Sequence, residues 1–243
     1  MSAPHITLLC AFSARSRAYA QALHHARISV DRVVLFGDSA RDTPEAFSAA
    51  TAGSAKLPVF APDLSRTLRE TCTEAGWPVE HVADGNINSP DMIEAVTRQP
   101  DGILVYSGYS GQLVGQSLLG SGVRLLHLHA GWLPEYRGST TIYYSWLGEG
   151  HCGVSALLLD ASIDTGPLIA RKRYPTPPPG VNVDLLYDSA LRADLLCDVL
   201  GHYRETGTLG QTQADGKACT YYVIHPVLKH IALMSRDAEE RNG

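Results

Sequence analysis

Apolar positions come in short continuous runs separated by polar, Gly- or Pro-marked stretches that carry a helical period. The runs predict strands over residues 5–12, 33–36, 79–82, 103–106 and 124–129. Between them, Ser13 and Ser16 flank the start of a helix reaching about Ala26, residues 64–75 are helical, and the 90–99 helix opens with proline in its first turn. Residues 40–61 are small, polar and Pro-marked, a loop with a short helix. Further helices are expected over 114–119 and 140–146, with Arg137-Gly138-Ser139-Thr140 as the start of the second. Residues 153–159 and 168–174 form a strand pair around a turn. Strands alternating with helices imply an α/β fold, a mostly parallel sheet with helices on both faces, and strand 124–129 in its middle.

After residue 174 the texture changes. Pro175-Thr176-Pro177-Pro178-Pro179-Gly180 is a stiff connector. In residues 183–203, Leu185, Leu186, Ala190, Leu191, Leu195, Val199 and Leu200 recur at helical spacing, a helix that covers the sheet. Residues 206–220 are irregular, 221–226 a short strand, 227–234 a terminal helix, and the last nine residues charged and frayed. The chain therefore divides into residues 1–174 and a C-terminal extension, 175–243, packed on the same core.

The densest chemistry lies in Leu125-Leu126-His127-Leu128-His129-Ala130-Gly131-Trp132-Leu133-Pro134-Glu135-Tyr136-Arg137-Gly138. Side chains alternate along a strand, so His127 and His129 share a face at the end where the strand stops. The carboxyl end of a strand in an open α/β sheet is where ligands sit. Downstream, Leu159-Asp160-Ala161-Ser162-Ile163-Asp164-Thr165-Gly166-Pro167 places a carboxylate in a turn after a second apolar strand. A carboxylate beside an imidazole orients it and stabilises its charged form, the usual wiring for proton transfer. The same three side chains, His127, His129 and Asp164, are also a two-histidine, one-carboxylate set suited to iron or zinc, and the residues alone leave both readings open.

These stretches resemble the formyltransferase family, which includes methionyl-tRNA, glycinamide ribonucleotide and sugar-nucleotide formyltransferases. That family's signature is Asn-x-His, a short Ser-Leu-Leu-Pro-like loop, Tyr-Arg-Gly and, further on, Asp-x-Gly or Asp-Thr-Gly. His129 and Asp164 stand at the catalytic positions, Gly131-Trp132-Leu133-Pro134 replaces the loop, and Tyr136-Arg137-Gly138 matches as it stands. Residues 88–91 and 100–105 also agree in place and order, and the similarity runs from about Ile6 to about Tyr222.

The resemblance implies a Rossmann-like catalytic domain that moves a formyl group from 10-formyltetrahydrofolate to an amine of a small molecule, in cytoplasmic one-carbon biosynthesis. It implies catalytic roles for His127, His129 and Asp164, and no metal. The cofactor is expected between the loop of Tyr109, Gly111, Gln112 and Leu113 and that of Asp160, Ser162 and Ile163, with Leu113 and Leu133 as apolar walls. Tyr136, Arg137, Gly138 and Ser139 are expected at the substrate. One position departs: where the family has asparagine, this chain has His127. An imidazole also donates a hydrogen bond to a developing oxyanion, but it titrates, so activity is expected to vary with pH near about 6.5. A formyl-folate hydrolase or a non-transferase descendant is the other outcome of that substitution.

Composition narrows the partners. The 243 residues carry a net charge of −5 with no Lys/Arg cluster, so no nucleic acid is expected. The chain also stops before the additional β-domain of methionyl-tRNA formyltransferases would fit. Five scattered cysteines with no CxxC pair read as small core residues in a reducing cytoplasm. No apolar run has signal or membrane-span length, so no membrane partner is expected. The apolar C-terminal helix is the candidate patch for a homodimer.

Overall fold

The computed structural model describes residues 4–44, 56–98 and 102–241, with side chains through Ser235. Of the 40–61 segment, the described residues hold a single 3-10 turn at Ser39–Arg41, and 45–55 lie outside them; the helix expected over 90–99 ends at Thr97, with Arg98 as its cap. The last nine residues, expected to be frayed, are helical in backbone as far as Arg241, because the terminal helix runs from Pro226 to Arg241 rather than stopping at 234.

Strands β1 (Ile6–Ala11), β2 (Arg32–Phe36), β3 (Val79–Val82), β4 (Ile103–Ser107), β5 (Leu125–His129), β7 (Cys152–Leu158) and β8 (Leu168–Tyr174) form one sheet in the order β3-β2-β1-β4-β5-β7-β8. The first five are parallel; β7 runs antiparallel to β5, and β8 to β7. Strand β5 is thus interior but off-centre, fifth of seven, at the seam where the sheet reverses direction. The strand order itself reverses between β1 and β4, the position at which open α/β sheets form their binding crevice.

Helices α1 (Ala14–His25), α2 (Leu68–Glu74), α3 (Pro90–Thr97), α4 (Gln116–Leu119), α5 (Thr141–Glu149), α6 (Asp188–Thr206) and α7 (Pro226–Arg241) complete the fold. Alternate residues of β1 feed two apolar layers: Ile6, Leu8 and Cys10 enter one, Leu9 and Ala11 the other. Ser13 caps α1, its side chain accepting from the Ser16 amide. The second helix begins later than expected, because Thr67 and Glu70 form a reciprocal capping box there. The 183–203 segment opens with one π-helical turn, Val183–Tyr187, before α6 packs over α1 and β7.

The largest departure concerns residues 137–140. They are no helix start: Arg137–Gly138 is a short strand, β6, paired in parallel with Thr220–Tyr221, β9. The helix starts one residue past Thr140, which sits at φ 51°. The strand expected over 221–226 shrinks to β9 because Pro226, which lacks an N–H, opens α7 instead. Cys10, Cys72 and Cys152 are buried free thiols, Cys197 is half-buried and Cys219 is exposed. No helix among the described residues is long and apolar enough to cross a membrane.

Candidate active site

Strands β4 and β5 pair only at Leu104–Leu125 and Val105–Leu126. Beyond that point no further pairing is made, and Tyr106 and His127, their ring centroids 6.2 Å apart, line a cavity. It has two connected regions. A volume of about 160 Å³ lies against Tyr106, Gln112, Leu113 and residues 159–164. A larger volume, about 700 Å³, extends over Arg15, the 108–113 loop, residues 137–140 and the start of α6. His127 and Asp164 line both, so they stand at the junction.

His129 is buried, and Nε2 lies 2.6 Å from the carbonyl oxygen of Tyr136. A carbonyl only accepts, so Nε2 carries the proton and Nδ1 of the neutral ring is a bare acceptor. That nitrogen faces Asp164 Oδ2 at 3.5 Å. Asp164 is held in turn by the Gly138 amide, which donates to Oδ2 at 2.9 Å. The hairpin that carries Asp164 is closed where Leu158 N donates to the Pro167 carbonyl at 3.0 Å, and Asp164 itself adopts φ 55°.

The local fold explains these positions. At Gly138, φ is 100°, and a Cβ would come within 2.1 Å of the Tyr221 carbonyl oxygen, so only glycine lets β6 lie against β9 and aim its amide at Asp164. Gly131 is under the same constraint: a Cβ would meet the Tyr136 carbonyl at 2.4 Å and His129 Nε2 at 2.6 Å. Ser155, fully buried on β7, donates to the Gly131 carbonyl at 2.6 Å and accepts from the Leu133 amide at 3.0 Å. It pins the loop that follows β5.

Two arginines set the electrostatics. Arg15 donates to the Gly108 carbonyl at 2.5 Å, linking the first turn of α1 to the loop after β4. Arg192 grips Asp188 with two bonds, 2.9 and 3.2 Å, and also donates to the Leu128 carbonyl between the two histidines. Burial, then the Arg15 and Arg192 guanidiniums, hold the His127 pKa well below its ordinary value. Expected pH sensitivity near 6.5 therefore moves to more acid conditions, and His127 is neutral at pH 7. Burial also lowers the His129 pKa, with Asp164 opposing the shift.

Of the expected cofactor residues, Tyr109, Gly111, Gln112, Leu113, Asp160, Ser162 and Ile163 line the cavity. Gly111 has φ 76° with open space where a Cβ would point. Leu133 does not line it: at 3% exposure it packs with Leu157 and Leu168, because Ser155 and Arg171 bond its backbone and turn the side chain away. Arg137, Gly138 and Ser139 face the larger volume. The Tyr136 ring instead stacks on Tyr221, and this residue contributes its carbonyl rather than its hydroxyl. Sequence reasoning missed Arg15, Tyr106, Ser155, Asp188 and Arg192. Arg15 was findable from its place in the first helical turn after β1, and Ser155 as the polar residue inside an apolar run.

Residues 13–193 match the family model of formyl transferase. The chain is 30% identical over 157 residues to methionyl-tRNA formyltransferase of Trichlorobacter lovleyi, a match covering 63% of this chain and 48% of the other. The enzyme of the same name from Finegoldia magna is 27% identical over 157 residues, covering 63% and 50%. The chain thus spans about half the length of the curated relatives it matches. Among solved structures, glycinamide ribonucleotide transformylase 1 of Symbiobacterium toebii superposes with a TM-score of 0.57 at 18% identity, over 84% of this chain and 88% of that one. A sugar N-formyltransferase from a Shewanella species gives 0.58 at 15% identity, over 96% and 87%. At these identities the structural likeness is one of fold.

Proposed function

The chain belongs to the formyl transferase family, and from that premise we propose that it transfers a formyl group from 10-formyltetrahydrofolate to an amine of a small molecule, such as an amino sugar nucleotide or an amino-acid-derived metabolite. The observation that carries this reading is the buried His129–Asp164 pair, 3.5 Å apart, with Asp164 at the junction of the two cavity regions. One cavity is for the donor and the other for the acceptor.

The smaller volume fits a flat heterocycle. Gln112 is anchored through Nε2 to the Gly85 carbonyl at 2.8 Å, and its buried Oε1 has no hydrogen-bond partner. A ring N–H in the pocket satisfies it, and Leu113 and Ile163 supply apolar walls. Bound there, 10-formyltetrahydrofolate would supply an electrophilic formyl carbon.

In this reading His127, kept neutral, donates its one N–H to the oxygen on which negative charge develops. The tautomer of His129 suits it to accept a proton rather than to donate one. Nδ1 has no proton to donate, so together with Asp164 it takes the proton that the attacking amine sheds. The pair gives that proton to the donor nitrogen as the bond from that nitrogen to the formyl carbon breaks and tetrahydrofolate leaves. Arg15, Arg137 and Ser139 bound the acceptor side. The reading also places the protein in cytoplasmic one-carbon biosynthesis, as a homodimer through the exposed Val227, Leu228 and Ile231 face of α7.

Incubating the purified protein with 10-formyltetrahydrofolate, with and without a panel of small amines, tests the proposal. Amine-dependent loss of the formyl group supports it. Amine-independent loss makes the protein a hydrolase, and no loss with any amine removes the reading.

A further inference from the structure

We propose that His127, His129 and Asp164 form a binding site for one divalent transition-metal ion of the zinc class, and that the ion, when bound, blocks the proton-handling atoms of the site. The inference about binding does not depend on formyl transfer; only its inhibitory consequence rests on that reading.

Three observations meet here. One ligand atom from each residue lies within 4.8 Å of the other two. Zinc bonds to nitrogen and oxygen of about 2.0–2.2 Å place tetrahedral ligand atoms roughly 3.3–3.5 Å apart, and His129 Nδ1 and Asp164 Oδ2 already stand 3.5 Å apart.

Second, the acceptors are unmatched. His129 donates through Nε2 to Tyr136, so its lone pair points at a carboxylate oxygen with no hydrogen between them. His127 Nδ1 is buried and has no hydrogen-bond partner. Facing acceptors call for a proton or a cation.

Third, the outer contacts are those of metal sites. A ligating histidine ordinarily donates its other N–H to a carbonyl, and a ligating carboxylate is itself hydrogen-bonded. The Tyr136 carbonyl and the Gly138 amide fill these two roles. The remaining coordination position faces the cavity, open to water or an anionic ligand. An asparagine at position 127 would offer only a weak amide ligand, so the histidine is what completes the set.

The test is metal binding by the full chain with no folate or amine present. Protein stripped with chelator is titrated with zinc chloride calorimetrically, its metal content is measured after dialysis, and cobalt(II) is added as a spectroscopic probe. The expected result is one ion per chain, with tetrahedral cobalt absorption. In His127→Asn and in Asp164→Asn, affinity should fall by more than the roughly 10–100-fold that outer-shell partners alone carry. If His127→Asn does not fold, the cobalt spectrum of the wild type and its loss in Asp164→Asn decide the matter. Absence of stoichiometric binding overturns the proposal. So does zinc held equally by all three proteins, which assigns it to a surface set such as His151–Glu149. Transfer that requires the metal would leave the site standing and overturn the inhibitory role.

Discussion

His129 Nε2 donates to the Tyr136 carbonyl at 2.6 Å, and that bond decides which nitrogen the site can use. The glutamine amide can reproduce a donor at the Nε2 position but has nothing at Nδ1. His129→Gln is therefore expected to keep its thermal midpoint close to wild type while kcat/KM falls about 10²–10⁴-fold, the range for a lost proton-transfer group. Equal activity of the two proteins would remove Nδ1 from the mechanism.

Asp164 occupies φ 55°, a region that asparagine and aspartate adopt more readily than most other side chains. Asp164→Asn should fold normally and retain the bond from Gly138, yet lose about 10²-fold or more in turnover. Asp164→Ala adds backbone strain to the same chemical loss. Melting curves beside kinetics separate the two effects, and an active Asp164→Asn protein would contradict the assigned role.

Because the His127 pKa is depressed in the folded chain, the unfolded chain binds the proton first as pH falls. Stability is then greatest above about pH 6.5 and declines below it by about 1.4 kcal/mol per pH unit for each proton the unfolded state takes up in excess. His129, shifted the same way, adds to the slope. In chelator-treated protein, urea midpoints from pH 7 down to 5 should show this decline, and His127→Asn should flatten part of it. A slope unchanged by the substitution would show that other groups titrate there.

Arg192 joins α6 to the motif strand through Asp188 and the Leu128 carbonyl. Removing it leaves a largely buried carboxylate unpaired, at a cost of about 3–5 kcal/mol. Arg192→Lys should recover only part, since an ammonium cannot make the two-pronged contact. Denaturant midpoints near wild type for Arg192→Ala would mean that the tie carries little.

Much of the architecture was legible because strands buried on both faces are written as continuous apolar runs, and the co-facial histidines follow from the period of a strand. Asp164 was legible as a carboxylate in a turn closing an apolar strand. What could not be read were orientations fixed by hydrogen bonds from distant segments. Leu133 turns away from the cavity because Ser155 and Arg171 bond its backbone, and no local pattern encodes that. The His129 tautomer depends on a carbonyl seven residues on in a loop whose path only the structure shows. The π-helical turn before α6 hides inside a helical spacing that reads as regular.

The pairing of Arg137–Gly138 with Thr220–Tyr221 carries a consequence for the order of folding. The amide of Arg137 donates to Cys219, that of Ser139 to Tyr221, and that of Ile224 to Thr140, so the C-terminal segment holds the strand whose Gly138 amide secures Asp164. Contacts between segments so far apart in sequence close a long loop and form slowly. A growing chain that has made both histidines and the aspartate still has no finished centre. Chemistry becomes available only when the tail docks, which makes competence a late event in the life of each newly made molecule.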